Sequence, residues 1–235
     1  PFPITPVLTT DIPEIVDFVR TIKAVRTEKV KISYGQNNFF EDKIFAVDPS
    51  LLTVFSFPLT KGDPQTALID RQSVVISESF AEKSFGSEDP IGKTLTIGSL
   101  VDFTVMGVAK NVPRNSHFVF DILIPVENAS TFHGQEYNDN WGASNFRSYI
   151  RLADNADPIA VNSKIAALKD NYPNRNPEFF DNLHLQPLSD IHHSRVRGEY
   201  GQPFDMKYVY LFSAVAFAII IIARINFMNL ATARS

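Results

Sequence analysis

The chain has 235 residues, 44% hydrophobic and 20% charged, with 22 basic against 26 acidic side chains and a formal net charge of −4. That profile describes a folded chain of one large domain or two small lobes, and its dispersed basic residues argue against a nucleic-acid-binding surface. The absence of cysteine excludes disulfides, thiol nucleophiles and Cys-ligated zinc, and it suits an oxidising periplasm.

At the amino end, "PFPITPVLTT" has neither the basic start nor the apolar centre of a signal peptide. Starting at Pro1, the chain reads as an excised part of a longer polypeptide. "TTDIPEIVDFVRTIKAV" then predicts an amphipathic helix. Asp11 is its cap, Pro13 lies in its first turn and Glu14 completes a capping box. Ile12, Ile15, Val16, Val19 and Ile22 form a stripe at helical spacing, which is a core-packing signal.

"KVKISY" and "FFEDKIFAV" read as strands, with "GQNN" between them resembling a hairpin connection. "DPSLLTVFSFPLTKGD" predicts a short turn of helix and a loop. "QSVVIS" predicts a buried strand and "SESFAEKSFG" a short helix, capped by Ser77 and stopped by Gly86 in a left-handed conformation. "GKTLTIG" and "DFTVMGVA" are alternating strands around the loop "SLV", and "HFVFDILIPV" is a further strand. Residues 128–145, "NASTFHGQEYNDNWGASN", read as an exposed polar loop. "FRSYIRL" returns to a strand. Asp157-Pro158 starts a helix carrying Ile159, Ile165, Ala166 and Leu168, which Pro173 closes. "LHLQPL" is a last strand before the polar connector "SDIHHSRVRGEYGQPFD".

Strands and helices interleave without a parallel βαβ rhythm, so the expected class is α+β. The expected organisation is a two-lobed extracytoplasmic domain. Residues 1–60 and 145–205 form a membrane-proximal mixed α/β lobe, 61–144 an inserted β-rich lobe, and 206–230 the start of a transmembrane helix.

The oily run supports that last assignment. From Tyr208 to Ala223 nothing is charged, and extension through Arg224 to Leu230 supplies the roughly 20 residues a bilayer core requires. Val209, Leu211, Phe212, Val215, Phe217 and Ile219 to Ile222 favour insertion by about 3–5 kcal/mol, against about 2.5–3.5 kcal/mol for a central arginine. Arg224 is off-centre, and its long side chain can snorkel toward an interface. Tyr208 and Tyr210 suit an interfacial aromatic belt, while Arg224 and Arg234 mark the other end as cytoplasmic, which places residues 1–205 outside. The competing reading of this run is a buried core helix.

Candidate chemistry is sparse. Gly92-Lys93-Thr94 matches the end of a phosphate-binding loop, but Ser87 stands where the first glycine belongs, and a strand follows. His192 and His193 are adjacent in a connector, and His117, His133 and His184 are scattered, which is poor spacing for a metal. Ser77 and Ser79 lack a G-x-S-x-G elbow. The carboxylate pairs Glu41–Asp42 and Glu88–Asp89 lie in exposed strands or turns. No catalytic residue, cofactor or metal is assigned.

From Gln72 onward, "VVISESFAEKSFGSEDPIGKTLTIG" continuing into "DFTVMGVAKNVPRNSHFVFDILIPV" resembles the periplasmic core domain of MacB-type ABC transporter permeases. "YVYLFSAVAFAIIIIARINFMNLATARS" is similar to the opening of the second transmembrane helix in FtsX-like permeases, although Arg224 stands where that pattern has a small uncharged residue. In the motif, Ser77 caps, Phe80 and Phe85 anchor the short helix, Asp89-Pro90 turns the chain, and Gly92 and Gly107 allow close backbone approach.

The resemblance implies a non-enzymatic domain between two membrane helices of a bacterial inner-membrane permease. It would couple cytoplasmic ATP hydrolysis to export or envelope processes. The implied partners are cytoplasmic ABC ATPase subunits, a second permease copy or half, a periplasmic adaptor or outer-membrane protein, and the lipid bilayer. Two alternatives remain at this point: a membrane-tethered sensor or ligand-binding domain, and a membrane-anchored hydrolase with a converging Ser, His and carboxylate.

Overall fold

Ile15–Lys23 is a strand (β1), where the apolar spacing predicts a helix. The helix at this end of the chain is α1, Ile4–Asp11, so Asp11 ends a helix instead of capping one. Two causes explain the reversal. Ile15, Val16, Val19, Thr21 and Ile22 are β-branched and fit a pleated surface better than a helix turn. A bulge between Ile15 and Asp17, together with burial of four successive residues from Val19 to Ile22, also erases the alternation that would mark a strand.

This is a computed structural model, describing residues 2–24, 29–99, 101–113, 116–134, 136–137, 141, 145–172, 180, 182–191 and 206–233. The chain divides into two units, Pro1–Leu185 and Gln186–Ser235.

In the first unit the remaining strands are β2 (Val30–Tyr34), β3 (Asn37–Glu41), β4 (Ile44–Val47), β5 (Leu59–Lys61), β6 (Ser73–Ser77), β7 (Thr94–Ile97), β8 (Val101–Ala109), β9 (Ile122–Pro125) and β10 (Arg147–Leu152). The helices after α1 are α2 (Leu51–Val54), α3 (Glu78–Phe85), α4 (Ala129–His133) and α5 (Pro158–Ala167). Among the described residues the strands form one ten-stranded sheet in the order β10-β1-β4-β9-β6-β8-β7-β2-β3, with β5 on β8. The pairs β4·β9 and β6·β8 are parallel and the rest antiparallel, as an α+β fold requires. Strands from residues 1–60, 61–144 and 145–152 all share this sheet.

Every residue of β4, β6 and β9 is buried, which explains their nearly unbroken apolar runs: these are interior strands covered on both faces. The main core combines them with Ile32, Leu95, Phe103 and Val105. A second cluster joins Ile4 and Leu8 of α1 to Val161 and Ile165 of α5.

Most short strands match expectation, and three stretches differ. "FFEDKIFAV" is two strands, not one. β3 lies at one end of the sheet, paired with β2 through the two-residue turn Gly35-Gln36, whereas β4 lies between β1 and β9. "HFVFDILIPV" is strand only over β9, although Phe118 and Phe120 are buried. "LHLQPL" is no strand: the Leu185 N–H donates to the Asn162 side chain at 2.7 Å, and Leu188–Asp190 is a 3-10 turn. Within 128–145, the expected exposed loop, α4 forms and Asn128, Ala129 and Tyr137 are buried.

The helix caps behave as local chemistry dictates. The Asp157 side chain accepts from the Ile159 N–H at the start of α5; Pro173 lies outside the described residues. Ser77 accepts from the Phe80 N–H at 3.2 Å, and α3 then stops at Gly86, whose φ of 59° and ψ of −118° depart from the left-handed helical conformation expected there. Phe85 meets Tyr34 at 4.5 Å and Phe80 meets Phe39 at 6.1 Å between ring centroids, so both anchors dock α3 against the β2–β3 hairpin. Ser77→Ala removes the cap and is expected to lower domain stability by about 1 kcal/mol; urea unfolding of residues 1–185 measures it.

Gly107 is the close approach expected of it, since a Cβ there would lie 3.2 Å from both Leu59 Cδ1 and Val75 Cγ2. Gly92 is not: nothing lies within 4 Å of its would-be Cβ.

In the second unit, Met206–Ala233 is a single helix of 28 residues (α6). Tyr210–Asn229 has a mean hydropathy of 2.2 and is long and apolar enough to cross a membrane. None of that stretch is buried, so the core-helix alternative receives no support from packing.

Candidate functional site

The most heavily connected buried polar group lies where β1 meets the end of β4. Arg20 Nη2 and Nε donate to the two Asp48 carboxylate oxygens at 2.7 and 2.9 Å, and the Arg20 backbone N–H adds a third bond at 2.6 Å. The side chains are only 9% and 8% exposed. Arg20 Nη1 also donates to the Phe2 carbonyl at 3.2 Å, and the guanidinium lies 3.8 Å from the centre of the Phe2 ring. The planar fork satisfies one carboxylate bidentately while its face stacks on an aromatic ring. This joins the start of the chain to two adjacent strands. The sequence offered one signal for it, an arginine inside the apolar stretch "IVDFVRTIK".

His133 is a second fixed polar group. One ring nitrogen, Nε2, faces the Lys23 carbonyl at 2.9 Å and donates to it, and Nδ1 is hydrogen-bonded with the Tyr137 hydroxyl at 2.5 Å. This bond, with the edge-on packing of Tyr137 on Phe146, explains why a tyrosine in a polar stretch is buried.

Of the other sequence candidates only Ser77 and Ser79 meet among the described residues, with their hydroxyls 3.1 Å apart, and no histidine joins them. Ser77 is a helix cap that also donates to Asp121 at 3.2 Å, and the Ser79 backbone N–H donates to Asn111 Oδ1 at 3.0 Å. His117 packs against the Phe55 and Tyr149 rings, and His184 lies 3.1 Å from the Asn182 carbonyl. His192 and His193 lie outside the described residues. No three His, Asp or Glu side chains among the described residues gather as metal ligands.

Three of the four paired carboxylates face a lysine instead of one another. Glu41 is bonded to Lys83, Glu88 to Lys93 and Tyr34, and Asp89 to Lys61. Lys93, the candidate phosphate-loop lysine, is thus an ion-pair partner on a turn. Its hydrogen bond, then that of Tyr34, holds the Glu88 carboxyl below its ordinary range, while the bond to Glu88 raises both the Lys93 ammonium and the Tyr34 phenol. Asp89 is lowered first by Lys61 and next by the Ile91 N–H. A depressed carboxylate stabilises the fold above its unfolded pKa, and the effect is lost as pH falls through the lower folded value. Lys93→Gln should therefore flatten the loss of urea resistance below about pH 4, where free carboxylates protonate. High salt should hide the difference, because these groups are exposed.

A mixed, largely antiparallel sheet carrying short helices, followed in sequence by an apolar helix long enough to cross a membrane, defines an α+β domain with a candidate membrane span. The chain belongs to the family of the MacB-like periplasmic core domain, whose model matches residues 3–168. The match extends well upstream of Gln72, into the segment the sequence had misread as a helix.

Solved structures share the fold. A domain of a candidate permease protein from Porphyromonas gingivalis is 24% identical, with a TM-score of 0.61, covering 72% of this chain and 76% of that one. The periplasmic region of MacB from Actinobacillus actinomycetemcomitans is 18% identical, with a TM-score of 0.52 over 74% of this chain and 75% of that one. The extracellular domain of YknZ, a noncanonic ABC-type transporter from Gram-positive bacteria, is 19% identical, with a TM-score of 0.51 over 72% of this chain and 81% of that one. No curated protein matches the chain. The protein is a MacB-like periplasmic domain of the ABC transporter permease family, with an extracytoplasmic segment and, among the described residues, one candidate transmembrane helix.

Proposed function

We propose that this domain is a mechanical, non-enzymatic part of an ABC transporter, coupling ATP hydrolysis in the cytoplasm to export or another envelope process. One observation carries the reading: a domain of the periplasmic core family runs on in the same chain into α6, whose Tyr210–Asn229 stretch can cross a membrane. Residues 1–205 lie on the periplasmic side of the bacterial inner membrane, and α6 brings motion to them from ATPase subunits. A second permease copy or half stands opposite, and a periplasmic adaptor or outer-membrane protein receives the outer part. In this reading residues 1–60 and 145–205 make up the membrane-proximal part and 61–144 the inserted part, and because strands of both share one sheet they move as a single rigid body against the second copy.

The test compares the complete transporter without nucleotide and trapped with ATP. Spin labels at the exposed Gln65 of the two copies should change their separation between the states. An unchanged distance contradicts the mechanical reading.

A further inference from the structure

We propose that Arg224 is paired inside the membrane with an Asp or Glu carboxylate on a neighbouring membrane-spanning helix. The inference rests on the reading of α6 as a span. Tyr210–Asn229 comprises 20 residues, about 30 Å of helix, which equals the thickness of a typical hydrocarbon core. Arg224 lies five positions before Asn229, so its Cα is about 7.5 Å inside the near edge. A guanidinium stays charged there.

Its own helix supplies no counter-charge. Residues 206–233 contain no Asp or Glu, and the neighbours of Arg224 at three-, four- and seven-residue spacing are Phe217, Ile220, Ile221, Phe227, Met228 and Ala231. Arg224 makes no ion pair among the described residues and is exposed. It is a permanent charge in an apolar setting.

Two kinds of anion could meet it: lipid phosphates at the near edge, or a protein carboxylate at its own depth. Helix geometry opposes the first. Every Cα–Cβ bond tilts toward the helix N-terminus, which directs this side chain toward the apolar centre and away from the near edge. A side chain bent back the other way must pass Phe227 and Met228. Sliding the helix until Arg224 reaches the edge does not help. Only Tyr208–Ala223 separates it from Lys207, about 24 Å of helix, so the slide submerges position 207 on the far side. A carboxylate on an adjacent helix satisfies the charge where it lies, and intramembrane charges characteristically face such partners.

The test uses the complete permease, reconstituted in vesicles of phosphatidylcholine alone or with added phosphatidylglycerol. Arg224→Glu and Arg224→Leu should each lower the thermal midpoint by roughly 5 °C in both lipids, because each leaves a carboxylate unpaired. In the Arg224→Glu protein, changing one particular membrane Asp or Glu to Arg should restore the midpoint. That rescue serves even if Arg224→Glu alone fails to assemble. Pairing is overturned if Arg224→Leu is as stable as the parent, if no exchange rescues, or if the parent's midpoint depends on phosphatidylglycerol, which would assign Arg224 to lipid phosphate. These failures leave the protein resistant to carbonate extraction. A parent permease that carbonate strips from the membrane refutes the spanning reading itself, and the pairing with it.

Discussion

Asp48→Ala is expected to destabilise residues 1–185 by about 3–5 kcal/mol, the usual cost of leaving one partner of a buried ion pair alone. The arginine left behind would lose both carboxylate contacts, at 2.7 and 2.9 Å, in a site where its side chain is 9% exposed. It would keep the single bond to the Phe2 carbonyl and its contacts with the Phe2 and Phe18 rings. Because a domain of this size has only about 5–15 kcal/mol of stability in all, much of the folded population would be lost. The paired replacement Arg20→Met with Asp48→Leu should cost less than Asp48→Ala alone, since no unpaired charge remains. Urea unfolding of the parent, the single and the double variant decides this. Near-equal stability of Asp48→Ala and the parent would mean that the pair is solvated.

Gly62→Ala carries the other large effect, a loss of about 2–4 kcal/mol. A Cβ at this position would lie 2.3 Å from the Met106 carbonyl oxygen and 2.9 Å from Gly107 Cα, both main-chain atoms that cannot turn aside. The backbone also has a φ of 89°, which an L side chain resists. The substitution would push β5 away from β8. Gly92→Ala is the control: φ is 78°, but the space is open, so only the conformational cost of about 1–2 kcal/mol is expected. If the two variants unfold at the same urea concentration, the packing argument at Gly62 is wrong.

What could be read from the sequence was what depends on neighbours in the chain. "QSVVIS", "KVKISY" and "FRSYIRL" carry their strand signal in β-branched and aromatic residues, and Ser77 and Asp157 cap helices through bonds spanning two or three residues. Features fixed by distant partners were hidden. Arg20 and Asp48 are separated by 28 positions, and the reason for Gly62 lies on β8. β1 was misread because its bulge and two-sided burial produce a spacing that a helix would also produce. Tyr137 was hidden by the polar residues around it, although its burial follows from His133 and Phe146. The family resemblance survived these errors because it rests on the α3 motif and the strands after it, where local chemistry and packing agree.

The absence of cysteine permits a direct test of the membrane arrangement, since any thiol introduced into the complete permease is the only one this stretch contributes. Single cysteines at the exposed positions Gln65 and Ala233 would be treated in intact cells with a maleimide that cannot cross the inner membrane. The account predicts rapid labelling at 65, and labelling at 233 only after the membrane is opened. Equal labelling of both in intact cells would place residues 65 and 233 on one side of the membrane and contradict it.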